Sequence, residues 1–512
     1  MHHKAIKHEV RKQLKKQYPN WNRLTKKEKK LLAHQVIDEI VGDYNFKKPV
    51  EAPINDLLGI DNQSYKQGIM SLDEMDSFIA SRESGRLFSF QKIKPHKAIQ
   101  DYELKQIDQL VDNDIINQIL RYDGFTPAMR EFFPSVFFRA ELLKAIKFPE
   151  VSYRKFCGDD KRYKDHKQHS PYIGMECKQN RAFIGLSLNR KQMLSHVQMS
   201  QFRSSLTFAQ MVNLTVYFLS QIRKSGLLGD HFIHCVDSTE LPVDRHHLLA
   251  SLEIKGKKIR IYDDIDCDCG SRRNKRDKSI YVVGYRMHTL TAVHPETGHS
   301  IPLISLLGAA NHHDSHFLGP LVALGNAIGL DIKLVSADEA YHDKTGAVYN
   351  ENGTYLVTPL NDRVKLPDNV DPETHAVTLD DLCEIPMEYI GIDECGHEFK
   401  CGAEPHECSR ACLCPQYRHI GFDSGYFQRL LHNNEQVDKA LELRKNCERP
   451  FNLLKKREGL EQVRVRGQHN ILTRLTVTTI ATLLIELVQT RKTDDNRNQQ
   501  HRFKQQKLPI AA

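Results

Sequence analysis

The chain has 512 residues, 40% of them hydrophobic and 27% charged, with Lys+Arg 73 against Asp+Glu 65 and a formal net charge of +8. That length exceeds one ordinary core and implies two to four domains of a soluble globular protein. The start, Met1-His-His-Lys-Ala-Ile-Lys, has neither the apolar run nor the cleavage site of a secretory signal. The most apolar late stretch, Leu475 to Val488, carries five polar or acidic residues and reads as too short and too polar to span a bilayer. A cytoplasmic, nucleoid-associated location is therefore expected, where twelve cysteines serve as thiols or metal ligands rather than disulfides.

Residues 1–99 read as a basic helical arm and linker. Arg11, Lys12, Lys15 and Lys16 are followed by Lys26, Lys27, Lys29 and Lys30, and Thr25 is placed to cap a helix with apolar residues at helical spacing. Such cations would touch DNA phosphate or simply face solvent. Residues 100–229 read as mainly helical, with helices over Tyr102–Leu120, Thr126–Phe148 and Thr207–Lys224. Cys157, His166, His169 and Cys177 in this segment have only loose zinc-like spacing.

From residue 230 strands appear. Phe232-Ile-His-Cys-Val-Asp-Ser-Thr is an apolar run ending at Asp237, followed by a polar loop, Asp263 to Arg276. Ile280 to Val293, the turn Pro295-Glu-Thr-Gly298 and Ile301 to Leu307 form a hairpin; a helix over Phe317–Ile328 follows, then a second apolar run, Ile332 to Ala337, ending at Asp338. Tyr355-Leu-Val-Thr-Pro-Leu is a fifth strand. Residues 361–435 then interrupt the pattern and hold Cys383, Cys395, Cys401, Cys408, Cys412 and Cys414. This clustering suggests one structural zinc on Cys395, Cys401, Cys408 and either Cys412 or Cys414, with unligated thiols the alternative.

The stretch Leu441 to Lys455 completes the set. At about 100° per residue Leu441, Arg444, Glu448 and Lys455 fall within roughly 60° of one another, so one helix edge carries a carboxylate between two cations. Taken singly, each acid is an ordinary strand-end or helix-surface carboxylate. Asp237, Asp338 and Glu448 together, far apart in sequence and each at the end of an apolar strand or between spaced cations, point to a two-metal site. Glu240, Asp244, Glu339 and Glu442 are the neighbouring competitors.

These segments, Val236-Asp237-Ser-Thr, Gly284-Tyr-Arg-Met-His288, Ala337-Asp338-Glu-Ala-Tyr341 and Arg444 to Lys455, resemble those of DDE transposases of bacterial insertion sequences, in family order over roughly residues 225–490. Arg444, Glu448 and Lys455 fit the Tyr-x2-Arg-x3-Glu-x6-Lys signature of one branch, with Leu441 where that branch has Tyr. The resemblance implies an α/β ribonuclease H-like catalytic core over 230–490 with an inserted cysteine-rich subdomain, preceded by a mainly helical N-terminal domain. Its parallel strands would lie side by side and bring Asp237 and Asp338 together.

Cutting a phosphodiester by this chemistry takes two Mg²⁺ (or Mn²⁺) ions about 3.5–4 Å apart, held by hard carboxylate oxygens. Asp237, Asp338 and Glu448 are the expected catalytic and metal residues. Arg444, Lys455, Arg464 and Arg466 are the expected DNA-binding residues, fixing phosphates without reading sequence. Tyr341 would stack on a flipped base or simply pack, and His288 would sit near the metals or in the core. Pro450 disfavours helix at Arg449 and would kink the segment, and residues 491–512 read as a disordered basic tail. The expected partners are double-stranded DNA, as terminal inverted repeats and target, and a second protomer, with no membrane. The alternatives are a two-metal nuclease without strand transfer and a non-catalytic, transposase-derived DNA-binding protein.

Overall fold

The computed structural model describes residues 2–21, 24–43, 66–84, 96–158 apart from 123 and 128, 174–188, 193–243, 247–254, 257–273, 279–342, 347–359, 370–371, 376–379, 385–393, 395–403, 408, 416–421, 435–457, 460 and 465–506. Two N-terminal helices, α1 (His2–Gln17) and α2 (Lys26–Asp43), come first. Thr25 caps α2 as its sequence implies: its amide donates to the Glu28 carboxylate at 2.7 Å, and the Glu28 amide donates back to its hydroxyl at 3.3 Å.

A helical array follows: α3 (Leu72–Ser84), α4 (Tyr102–Leu110), α5 (Asn113–Leu120), α6 (Pro134–Lys147), α7 (Lys178–Ile184), α8 (His196–Ser205) and α9 (Phe208–Lys224). The single helix expected over Tyr102–Leu120 is two, because Asp112 accepts the Asp114 and Ile115 amides and starts a new helix. The helix expected from Thr126 starts at Pro134, where a missing amide hydrogen costs nothing.

The catalytic half is built on strands β1 (Ile233–Pro242), β2 (Leu248–Ile254), β3 (Lys257–Tyr262), β4 (Asp268–Arg273), β5 (Ser279–Val293), β6 (Ser300–Ala309), β7 (Leu334–Ala337) and β8 (Tyr355–Val357), with α10 (Ser315–Ala327) between β6 and β7. Read across the sheet the order is β6-β5-β1-β7-β8, with β4 continuing the β5 edge beyond β6. β5 runs antiparallel to β1, while β7 is parallel to β1 and β8 parallel to β7. The parallel strands β1 and β7 lie side by side, as the resemblance implied. β2 and β3 form a separate hairpin, and β4 lies where the sequence reads only as a polar loop.

The last helix, α13 (Gln468–Gln506), is the shared beam of the molecule. It packs on β6 on one side and on α6 and α9 on the other, so one apolar core runs from Leu72 to Val488 through both the helical array and the sheet. Its segment Gln468–Thr490 is long and apolar enough to cross a bilayer, which corrects the shorter span read from sequence, yet 89% of its apolar window is buried inside the fold. The helix also continues to Gln506 where a disordered tail was expected. No Gly or Pro interrupts it, and Gln, Arg and Lys tolerate helix well.

A buried ionic knot holds that beam to the array. The fully buried Glu141 carboxylate of α6 accepts from Tyr153 Oη at 2.6 Å and from Arg203 Nη1 at 2.5 Å, with Arg474 Nη1 of α13 at 3.9 Å.

Within 361–435 the described residues form a small sheet, β9 (Met387–Asp393), β10 (Gly396–Cys401) and β11 (Tyr417–Ile420), over its own core of Val370, Val377, Leu379, Met387, Phe399 and Ile420.

Candidate active site

β1 and β7 place the first two acids. Their parallel register pairs His234 with Val335, Cys235 with Ser336 and Val236 with Ala337, so Asp237 and Asp338 are the next residues on strands about 5 Å apart. Apolar residues drive this: Cys235, Val236, Val335 and Ala337 are completely buried, whereas Asp237 is half-buried and Asp338 exposed. The acids thus stand at the edge of the core, open to solvent.

The third segment arrives from across the sheet. α11 (Glu435–Arg444) passes into a tight turn at Lys445–Cys447, then α12 (Glu448–Asn452), then a wide turn at Leu453–Arg457. The single regular helix assumed for the shared edge is therefore broken on both sides of Glu448. Pro450 explains the first break, because it has no amide hydrogen for the Asn446 carbonyl and its ring crowds that oxygen. The first break falls one turn before the proline, and the second follows at Leu453–Arg457.

Cys447 is buried and donates its thiol to Asp237 Oδ2 at 3.6 Å, so Glu448 is the residue beside one that touches Asp237. Glu448 itself is exposed, and Arg444 is half-buried.

The electrostatics of this corner are unusual for a carboxylate. Burial pushes Asp237 up to about 6, and the negative charge of Asp338 adds to it, against the Ser238 amide, the Arg444 cation and the Cys447 thiol, which pull it down. Burial, then Asp237 and Cys235, push the Cys447 thiol far up, so it is a neutral donor. Asp237 and Asp338, set on neighbouring strands at a cost, are hard-oxygen donors of the kind a divalent cation takes, but Glu448 does not close the set in this structure: the donor atoms of the three acids do not all lie within 4.8 Å of one another.

His288 and Tyr341 are not free to act on a substrate. His288 is fully buried, stacked on Phe317 with centroids 3.9 Å apart, and its Nδ1 lies 2.8 Å from Tyr341 Oη. Tyr341 is also completely buried and cannot receive a flipped base in this structure. Of the competitors, Glu240 is taken by Arg272 at 3.3 Å and Arg286 at 3.6 Å, Glu339 and Glu442 are exposed, and Asp244 lies outside the described residues.

The expected DNA-binding cations scatter. Lys455 lies half-buried in the wide turn after α12, and Arg464 lies outside the described residues. Arg466 turns inward to Asp263 Oδ2 at 2.7 Å. Asp263 belongs to an acidic loop that reads in the sequence as a polar connection. Asp264 and Asp266 accept the Gly467 and Gln468 amides at the start of α13, at 3.2 and 3.0 Å.

The same loop receives the basic arm: Arg11 pairs with Asp268 at 3.4 Å, Lys15 with Asp266 at 2.5 Å, and the buried Lys29 with Asp263 at 2.5 Å. Trp21, Val36 and Ile37 pack beneath them on Leu249 and Ile261 of the β2–β3 hairpin. These three cations are thus paired with acids of the chain itself, Lys29 inside the fold and Lys15 at its surface. The period of apolar residues in the arm was the available signal.

The zinc expectation is not met by the described cysteines. Cys395 is exposed and Cys401 and Cys408 are half-buried, all three free, and they do not form a ligand group among the described residues; Cys412 and Cys414 lie outside them, as do His166 and His169. The one group of donors close enough for a metal among the described residues is Asp393, Glu398 and His419. Turn closure accounts for Asp393, whose Oδ1 accepts the Cys395 and Gly396 amides at 2.7 and 3.1 Å, and His419 pairs with its Oδ2 at 2.7 Å across the strands.

Residues 230–484 match the family model of the transposase DDE domain. The chain belongs to the DDE transposase family. No curated protein matches it. The family implies a ribonuclease H-like α/β core and DNA as substrate, and the mixed sheet with a helical region in front has that architecture.

Proposed function

We propose that this DDE transposase binds the terminal inverted repeats of an insertion sequence, cleaves DNA phosphodiester bonds there and joins the element's 3′ ends to target DNA, acting as a dimer on DNA. Asp237, Asp338 and Glu448 would hold two Mg²⁺ or Mn²⁺ ions. When bound, such ions supply an activated hydroxyl nucleophile and charge stabilisation at the crowded phosphate. The observation that carries the reading is the β1–β7 register, which sets Asp237 beside Asp338 at the solvent edge of the core with Cys447 against Asp237.

The residues of the chain do the rest. Asp237, desolvated on one side and ordered by the Ser238 amide at 2.7 Å and the Cys447 thiol, presents a fixed carboxylate toward the opening. Arg444, whose positive charge reaches Asp237, and Lys455 would hold phosphates flanking the cut and fix the register of the duplex. Arg464 and Arg466 are assigned the same task in the sequence reading; for Arg466 this requires release from Asp263. The cysteine-rich insert, 361–435, would be an accessory subdomain, with zinc reserved to a ligand set that includes Cys412 or Cys414.

The test uses full-length protein, Mg²⁺ and duplexes carrying the element's ends, both intact and pre-cut at the 3′ strand. Cleavage of the first and joining of the second, both abolished in Asp237→Ala, Asp338→Ala and Glu448→Ala, is the expected result. Cleavage without joining would mark a nuclease, and DNA binding with neither activity would mark a non-catalytic binder.

A further inference from the structure

The segment that carries the third acid is tied to the sheet on both sides of that acid. On one side Cys447 is completely buried, packed with Cys235 of β1 and Val293 of β5 and bordered by Ile233 and Leu443. On the other side Arg449 Nη1 donates to the Gly298 carbonyl at 3.3 Å, in the turn between β5 and β6. Asn446 lies against the same turn, so close that a Cβ added to Gly298 would stand 3.0 Å from its Nδ2. Glu448, exposed, stands between these anchored neighbours.

One of these anchors also reaches the first acid. The Cys447 thiol donates to Asp237 Oδ2 at 3.6 Å, while Asp237 Oδ1 accepts the Ser238 amide at 2.7 Å. Both oxygens of one carboxylate are thereby held, and its plane is set. An ionised carboxylate has about four lone-pair sites, so two hydrogens still leave each oxygen a lone pair for a cation. The requirement at position 447 is narrow. Its side chain must be small and apolar enough to sit beside Cys235 and Val293, and it must still carry a hydrogen for a carboxylate. A thiol does both. A hydroxyl keeps the hydrogen but brings a polar group into an apolar cluster, and a methyl group fills space without donating.

We propose that Cys447 is a positioning residue that couples the first acid to the third: one thiol orients the Asp237 carboxylate and holds the turn from which Glu448 projects, so that binding of a divalent cation and docking of that turn stabilise each other. The inference rests on the reading of Asp237, Asp338 and Glu448 as the residues that hold the metal. A ligand oriented in advance by its neighbour binds the ion without first being ordered. Coupling of this kind is reciprocal, so the affinity that the thiol gives the cation returns as protection of the thiol by the cation.

The test is Mn²⁺ binding to the full-length protein without DNA, by calorimetry, together with melting temperature and the rate at which maleimide alkylates Cys447, followed by peptide mass spectrometry. Cys447→Ala is expected to weaken Mn²⁺ binding at least fivefold. Cys447→Ser, which keeps a donor, is expected to stay within threefold of wild type although its melting temperature falls. Val293→Ala loosens the same apolar cluster without touching the donor and is expected to lower the melting temperature while leaving Mn²⁺ affinity within twofold. In the wild type, Mn²⁺ at about ten times its Kd should slow alkylation of Cys447 at least fivefold, toward a mass-action limit of about elevenfold. Cys157, buried in the helical array, should slow less than twofold. This arm needs no variant and decides the question if Cys447→Ala does not fold. Equal Mn²⁺ affinity in wild type and Cys447→Ala, a fivefold loss in Val293→Ala as well, or equal slowing at Cys447 and Cys157 overturns the positioning role. Absence of Mn²⁺ binding in the wild type overturns the metal-site reading and this inference with it.

Discussion

Replacing Asp237 by Asn isolates what the fold gives up to place a carboxylate there. Burial and the neighbouring charge of Asp338 raise this group from 3.8 to about 6, which corresponds to about 3 kcal/mol at 1.36 kcal/mol per tenfold change in proton affinity. The folded state holds the proton more tightly than the unfolded chain, so without metal the wild type loses stability as pH rises from about 4 to about 6 and stays lower by that amount above it. Asp237→Asn carries no charge to penalise, so at pH 7 in EDTA it should be more stable than wild type by up to about 3 kcal/mol, with the difference vanishing near pH 4. With about 2.1 cal/mol/K of unfolding entropy per residue over 512 residues, that is a rise in melting temperature of roughly 3 °C. Adding Mg²⁺ should stabilise wild type and leave the variant nearly unmoved, while DNA cleavage disappears in the variant. Scanning calorimetry at pH 4.5 and 7, with and without Mg²⁺, measures all four conditions. An Asn variant no more stable than wild type at pH 7 without metal, or one still cutting DNA, would refute the reasoning.

Two further substitutions probe the frame around the site. Lys29→Met removes the buried partner of Asp263, leaving only Arg466 on that carboxylate; a loss of about 3 kcal/mol is expected, together with protease cleavage between α2 and the helical array, and proteolysis indistinguishable from wild type would contradict the docking of the arm. Glu141→Gln leaves Arg203 and Arg474 buried beside a neutral amide, for an expected loss of about 3–5 kcal/mol read as a lower melting temperature; an unchanged value would show that the beam helix does not depend on this knot.

The parts of the site that were legible in sequence are those written by local hydrophobicity. The apolar runs before Asp237 and Asp338 are buried, and each ends at the first acid that meets water; Asp338 does follow the end of β7, whereas β1 runs on past Asp237 to Pro242 because β5 keeps pairing with it. Two things were illegible for different reasons. β4, Asp-Cys-Gly-Ser-Arg-Arg, has no alternation at all, and it is a strand because β5 pairs with it. Cys447 hides between a cation and an acid that dominate the reading of its segment; it lies in the tight turn Lys445–Cys447 that interrupts the helix, and its thiol reaches Asp237 from there.

Charge was the least legible quantity, because a cation's sequence neighbours do not name its partner. Arg11, Lys15 and Lys29 sit in a run that sequence assigns to phosphate or to water, and the acids that answer them, Asp263, Asp266 and Asp268, lie more than two hundred residues away in what reads as a loop of mixed sign. What separates the three readings is burial. Lys29 is 2% exposed on a face shared with Trp21 and Ile37, and a cation on the apolar side of an amphipathic helix has to be met inside the fold, because leaving it unpaired there costs several kcal/mol. The remaining named cations, Lys12, Lys16, Lys26, Lys27 and Lys30, are exposed, so whatever phosphate contact these cations make falls to those five and not to the residues that hold the arm down.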